Sequence, residues 1–264
     1  MGQPFDFAGT TALVTGASSG IGAEFARSLA AKGASLVLVA RSVDALEALA
    51  AELRQAHGVG VDVVTLDLAL PDSAETLAAV MAEHGLAVDV LINNAGFGSH
   101  GDVVDADPAM LAQQIQLNVG TLVGTTARFL PGMVARGRGV VVNVASTAAF
   151  QPLPHMAVYG ATKSFVLSFT QALWKENAST GVKVLALCPG ATDTAFFDVA
   201  GGDAAVGERR SPTTVVELAF EALAAGRPSV VDGAMNNLLA RVGPRIMPER
   251  GMLVAAERTM RPGR

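Results

Sequence analysis

Short apolar runs alternate with helix-spaced apolar positions through the first half of the chain. Thr11–Thr15 is an apolar run bounded by Gly9 and Gly16. Beyond a glycine-rich turn, Ile21, Phe25 and Leu29 recur at helical spacing until Gly33 stops the helix. Ser35–Ala40 is apolar almost throughout, as a strand covered on both faces should be. Leu46, Leu49 and Leu53 mark a second helix, and 61–66 a third strand. A helix over 74–84 and a strand over 88–92 follow. The second half adds a long helical region over 108–133, a strand over 140–144, a helix over 156–178 and a strand over Val182–Cys188. Such alternation predicts parallel strands joined by right-handed crossovers. The expectation is one doubly wound α/β domain of the Rossmann type.

Composition narrows the classes without changing that picture. The chain has 264 residues, 50% hydrophobic and only 16% charged, enough for one large core. A net charge of -5 argues against general nucleic-acid binding. The single cysteine fits a reducing compartment, so the expected location is cytoplasmic. Strand-like sequence begins by Thr11, so no signal peptide is expected, and no uncharged apolar run approaches the ~18 residues of a membrane span.

The turn after the first strand reads Thr15-Gly16-Ala17-Ser18-Ser19-Gly20-Ile21-Gly22. Glycines between a strand and a helix let the backbone approach a pyrophosphate, and the helix N-terminus offers free N–H groups to its charge. The spacing is G-x-x-x-G-x-G, a variant of the usual dinucleotide fingerprint. After the second strand stands Arg41, where an acidic residue would select NAD through the ribose 2′-hydroxyl and an arginine accommodates the 2′-phosphate of NADP. The expected cofactor is NADP(H). Asp67 and Leu68 close the third strand beside the adenine position, and Asn94, Ala95 and Gly96 follow the fourth. Together these residues describe one crevice at the carboxyl ends of the strands.

The candidate chemistry lies in Tyr159-Gly160-Ala161-Thr162-Lys163. A tyrosine and a lysine at this spacing sit one helical turn apart. A phenol has a pKa of about 10. A cation about 4 Å away at an effective dielectric of 20 contributes roughly 4 kcal/mol, or about three pKa units. That predicts a phenol lowered into the range of physiological proton transfer. Ser146 ends the fifth strand, a loop and the start of a helix before Tyr159, so the two hydroxyls can converge. Asn118 is an interior helix asparagine for which a buried role is expected.

The ordered set T-G-x-x-x-G-x-G, N-N-A-G, Asn118, Ser146, Y-x-x-x-K and P-G-x-x-x-T resembles the classical short-chain dehydrogenase/reductase family over nearly the whole chain. Asn93-Asn-Ala-Gly-Phe-Gly98 and Tyr159-Gly-Ala-Thr-Lys-Ser-Phe165 look most like bacterial hydroxysteroid and 3-ketoacyl reductases. The resemblance implies a mostly parallel seven-stranded sheet with helices on both faces. It implies Tyr159 as general acid/base, Lys163 lowering the Tyr159 pKa and holding the nicotinamide ribose, Ser146 positioning the substrate oxygen, and Asn118 supporting a water relay. Pro189, Gly190, Thr192 and Thr194 would meet the nicotinamide end. Family members commonly form dimers or tetramers through the two long helices, and the apolar excess on 108–133 and 156–178 supports the same expectation.

Substrate walls are expected from Phe97, Phe150, Leu153, Met156, Phe196 and Phe197, with a lid over about 192–211 containing Gly201-Gly202. Their apolar character suits a hydrophobic ketone or alcohol. Cys188 reads as packing, and His100 and His155 as neighbours of the pocket outside the mechanism. The four histidines show no metal-ligand spacing, so no metal is expected. Within a C-terminal segment at about 234–264, residues 238–258 read as core and amphipathic covering, and Arg241, Arg245, Arg250 and Arg258 make a basic face. Two other readings stand beside the enzyme. One is an NADPH-binding sensor of the same fold, against which the complete Ser146, Tyr159, Lys163 and Asn118 set argues. The other is an extended-branch epimerase or dehydratase, against which the glycine spacing and the absence of a larger C-terminal substrate region argue.

Overall fold

The computed structural model describes residues 5–194, 196, 209–233 and 248–261. Phe197, Gly201, Gly202, Arg241 and Arg245 therefore lie outside the described residues. The strands are β1 (Thr11–Thr15), β2 (Ser35–Ala40), β3 (Val61–Thr65), β4 (Val90–Asn93), β5 (Gly139–Val144), β6 (Val182–Cys188) and β7 (Ser229–Val231). They form one seven-stranded sheet in the order β3-β2-β1-β4-β5-β6-β7. Each neighbouring pair is parallel, with Leu13 opposite both Val37 and Leu91 at the centre.

Parallel strands buried on both faces need apolar side chains in both directions, and β5 is buried at every position. On one face, α1 (Gly20–Ala31), α2 (Val43–His57) and α7 (Pro212–Ala224) cover a core that includes Phe25, Leu29, Leu46 and Leu53. On the other, α3 (Ser73–Glu83), α5 (Leu122–Ala135) and α6 (Ala157–Glu176) pack Leu77, Met81, Met133 and Leu173 against Leu13, Leu91 and Val141. Phe25 is wholly buried, and truncating such a side chain to alanine costs about 3–5 kcal/mol.

Local sequence sets the helix ends. Asp107 caps α4 (Pro108–Ile115) by accepting from the Ala109 N–H at 2.9 Å, with Pro108 preset for the first helical position. Ser211 caps α7 in the same way, accepting from Thr214 at 3.2 Å ahead of Pro212. The final described helix is α8 (Glu249–Met260).

The helical region expected over 108–133 is interrupted. Between α4 and α5 lies a π-helical turn, Gln116–Thr121, with Asn118 buried at its centre. The wider turn leaves the Asn118 side chain directed inward, where it bonds the backbone after β4 instead of its own helix.

Strand order reverses direction from β1, with β2 on one side and β4 on the other. The crevice above their carboxyl ends is the place where this topology puts a ligand.

Candidate active site

The crevice is built from the ends of six strands, β1 to β6. Thr15 stitches two of them together: its hydroxyl donates to Ile92 O at 3.2 Å and accepts from the Asn94 and Ala95 N–H groups at 2.9 and 3.0 Å. Above it, the glycine turn folds back on itself. A Cβ on Gly22 would run into the Gly16 carbonyl and lie 2.6 Å from Asn94 Nδ2, so no other residue fits there without displacement. No side chain caps α1 at Ser19, so the first N–H groups of this helix face the crevice. That arrangement fits a pyrophosphate.

The cavity has a volume of about 1120 Å³. Gly16, Ser18, Ser19, Gly20, Ile21, Arg41, Asp67, Leu68, Asn94, Ala95, Gly96, Pro189, Gly190, Thr192 and Thr194 all line it. Gly22 stands behind the wall, packed against Gly16. Arg41 and Ser42 lie at the far end, at the mouth of β2, and Arg41 is exposed. Asp67 also accepts the Ala69 N–H at 2.9 Å, which fixes the loop after β3.

At the opposite end Ser146, Tyr159 and Lys163 share the wall. Helix α6 begins just before Tyr159, placing the phenol and the ammonium one turn apart and both buried. Ser146 ends the β5 loop as the cap of a short 3₁₀ turn, accepting from Ala148 N at 3.1 Å, and its hydroxyl stands close enough to the Tyr159 phenol to lower its pKa. Lys163 Nζ donates to Val144 O at 2.8 Å and lies 5.9 Å from the centre of the Tyr159 ring.

Asn118 stands behind these residues, off the cavity wall. Its Oδ1 accepts from Phe97 N at 3.1 Å, and its Nδ2 donates to Phe97 O at 2.9 Å and Thr162 Oγ1 at 3.1 Å. It thereby ties the loop after β4 to α6. A Cβ on Gly96 would meet Asn118 Oδ1 at 2.9 Å and Lys163 Nζ at 3.5 Å, so glycine here keeps the floor of the crevice open.

The electrostatics reverse one expectation. The Tyr159 phenol is pushed up to about 12, because burial outweighs the lowering by the Ser146 hydroxyl. Lys163 is pushed down to about 8, again chiefly by burial, with the Cys188 thiol opposing. Desolvation disfavours both charged forms and exceeds the attraction that a close ammonium offers the phenol.

The rest of the cavity is apolar. Phe97, Phe150, Leu153, Met156 and Phe196 all line it, with the Phe196 ring 5.4 Å from that of Tyr159. Two walls were not foreseen. Met110, Gln113 and Leu117 enter from α4 and the π turn, and Met252, Ala255, Ala256, Thr259 and Met260 from α8. The second signal was present as Met252, Ala256 and Met260 at i, i+4 and i+8, the stripe of a helix lying on an apolar surface. His100 Nε2 contacts Met260 O at 2.6 Å, fastening the end of α8 beside the pocket. His155 pairs with Asp102 at 2.7 Å, and neither histidine lines the cavity. Among the described residues no group of side chains could hold a metal, and no helix is long and apolar enough to cross a membrane.

The family model described as short chain dehydrogenase matches residues 10–203. A Streptomyces coelicolor protein provisionally named ketoacyl reductase is 34% identical over 246 residues, covering 85% of this chain and 94% of that one. Among solved structures, a short-chain dehydrogenase from Sphingobium yanoikuyae in complex with NADPH has 35% identity and a TM-score of 0.81, over 89% of this chain and 93% of that one. A 7β-hydroxysteroid dehydrogenase has 30% identity and a TM-score of 0.85, over 94% and 97%. The chain belongs to the short-chain dehydrogenase family. It is an oxidoreductase acting on CH–OH and C=O groups.

Proposed function

We propose that the chain transfers a hydride between NADP(H) and a hydrophobic ketone or secondary alcohol. The observation that carries this reading is the Ser146–Tyr159 hydroxyl pair, placed where the nucleotide crevice opens into the apolar chamber. NADP(H) bound in the crevice supplies or accepts the hydride at the carbonyl carbon. Ser146 holds the substrate oxygen, and Tyr159 gives that oxygen a proton in reduction or removes it in oxidation. Lys163 holds the ribose hydroxyls, Asn118 supports a water relay behind Lys163, and Thr192 meets the carboxamide. Positioning and proton transfer are the protein's share of the catalysis. The chamber, walled by Phe97, Phe150, Leu153, Met156 and Phe196 and closed by Met252, Ala256 and Met260, favours bulky apolar carbonyls. NADPH oxidation measured against ketones graded in size and polarity tests this. Small polar ketones turning over faster than large apolar ones would contradict it. Tight NADPH binding without turnover of any ketone would point to a sensor.

Cofactor choice rests on Arg41, with no acid beside it in Ala40-Arg41-Ser42. A charged hydrogen bond contributes about 1.5–3 kcal/mol. NADPH is therefore expected to bind at least about ten-fold tighter than NADH. Arg41→Asp is expected to invert the order, read by calorimetric titration of both nucleotides. Equal affinities in the wild type would remove the basis for this assignment.

Self-association belongs to the same reading, as does a cytoplasmic location. Ile115, Val134 and Phe165 are exposed on α4, α5 and α6, and Phe165 stacks on Phe169 with ring centres 5.8 Å apart. Apolar surface at these helices favours a homodimer or homotetramer. Light scattering at micromolar concentration should report a dimer or larger, and a monomer would count against it.

A further inference from the structure

Asp232 follows β7 directly and is wholly buried. Its N–H donates to Cys188 O at 3.1 Å, which seats it at the end of β6 beside Pro189 and Gly190. Its carboxylate meets Arg210 Nε at 3.1 Å. Burial pushes this carboxyl up, and the Arg210 cation opposes that shift.

Arg210 in turn brackets Thr192. The Arg210 N–H donates to Ala191 O and its carbonyl accepts from Asp193 N, both at 2.9 Å, so Thr192 is paired with Arg210 in a parallel bridge. Thr192 is buried and lines the crevice. A half-exposed pair, Arg209 with Asp193 at 3.7 Å, adds a second and weaker link. The placement of Thr192 thus depends on a backbone partner whose own side chain is fixed by a buried charge at the sheet edge.

We propose that Arg210 and Asp232 are positioning residues for the nicotinamide end of the cofactor, holding the Ala191–Asp193 backbone through an ion pair that touches neither cofactor nor substrate. This rests on the NADP(H) reading of the crevice. The adenosine end is held by other elements, the turn after β1 and the mouths of β2 and β3, so the pair should influence only one half of the nucleotide.

The test is titration of wild type, Asp232→Asn, Arg210→Gln and the double variant with NADPH and with adenosine 2′,5′-bisphosphate, which lacks the nicotinamide half. Each single variant is expected to bind NADPH about ten-fold more weakly, the scale of one charge-assisted hydrogen bond. Adenosine 2′,5′-bisphosphate is expected to stay within about two-fold, and the double variant to be no worse than the weaker single one, as for coupled partners. Arg210→Gln leaves a buried carboxylate without its cation and is the variant at risk of unfolding. Asp232→Asn keeps the shape, removes that charge and carries the test alone if needed. Equal loss for both ligands marks general loosening and overturns the proposal, as does no loss for either. A wild type preferring NADH defeats the NADP(H) reading only. The same comparison with NADH and adenosine 5′-phosphate then decides the pair by the same criteria, and a wild type binding neither nucleotide overturns both.

Discussion

Replacing Tyr159 with Phe is expected to lower turnover by about 10²–10⁴, the usual contribution of a positioned general acid. The ring stays, so its packing against Phe196, Leu153 and Met156 is kept. What disappears is the hydroxyl paired with Ser146. Cofactor affinity should change little, because the nucleotide is assigned to the Gly16–Gly22 turn, Arg41 and Lys163. A phenol held at about 12 is fully protonated near neutrality, the form that reduction requires. The reductive rate should accordingly show no loss of this acid through neutral pH, whereas alcohol oxidation, which needs the phenolate, should climb toward alkaline pH. Steady-state rates in both directions, with fluorescence titration of NADPH, check these outcomes. A Tyr159→Phe protein reducing ketones at the wild-type rate would sink the mechanism.

How legible this site was depends on the range of the interactions that make it. The glycine turn, Arg41 and the Tyr159–Lys163 spacing are local signals, each tied to a strand end or one helical turn, and the structure gathers all of them around one cavity. The inner strands were readable because burial on both faces demands apolar runs, as in β5, whereas β3 at the sheet edge leaves Asp62 and Thr65 exposed and was marked only by its valines. Strand β7 has only three residues, too few for such a run; the resemblance implied a seventh strand without assigning it residues or a place in the sheet. Asn118 could be flagged as an odd helix residue, but the π turn that aims it at Phe97 depends on contacts with the loop after β4. The same holds for α8, whose Met252, Ala256 and Met260 stripe shows that a helix covers something without saying what. Charge was the least legible. Spacing places Lys163 one turn from Tyr159, yet the sign of both pKa shifts follows from burial, which depends on the whole fold.

Lys163→Met should have the second large effect, and it separates chemistry from stability. On the proposed reading Lys163 donates to the ribose hydroxyls, so NADPH affinity should fall by about ten- to a hundred-fold when the ammonium is lost. Turnover at saturating cofactor should fall by a further ~10² or more, since the nicotinamide is no longer held against the substrate carbon. In the wild type, affinity should also decline as pH rises through about 8, where Lys163 loses its charge. Folding responds in the opposite direction. The folded pKa lies below the ordinary 10.5, so between about pH 8 and 10 the unfolded chain holds a proton that the folded chain does not. Wild-type stability from this group is therefore lowest below pH 8 and rises through that window. Above pH 10 the raised Tyr159 phenol works the other way, because the unfolded state ionises first and stability falls toward pH 12. A methionine of similar length needs no desolvation of charge, and its sulfur suits an apolar wall. The variant should then melt no lower than wild type at pH 7, and the rise between pH 8 and 10 should vanish. Thermal melts across that range, run beside NADPH titrations, decide the matter. A Lys163→Met protein that melts well below wild type at neutral pH would show that the buried ammonium stabilises the fold on balance, and the placement of its cost in desolvation would be wrong.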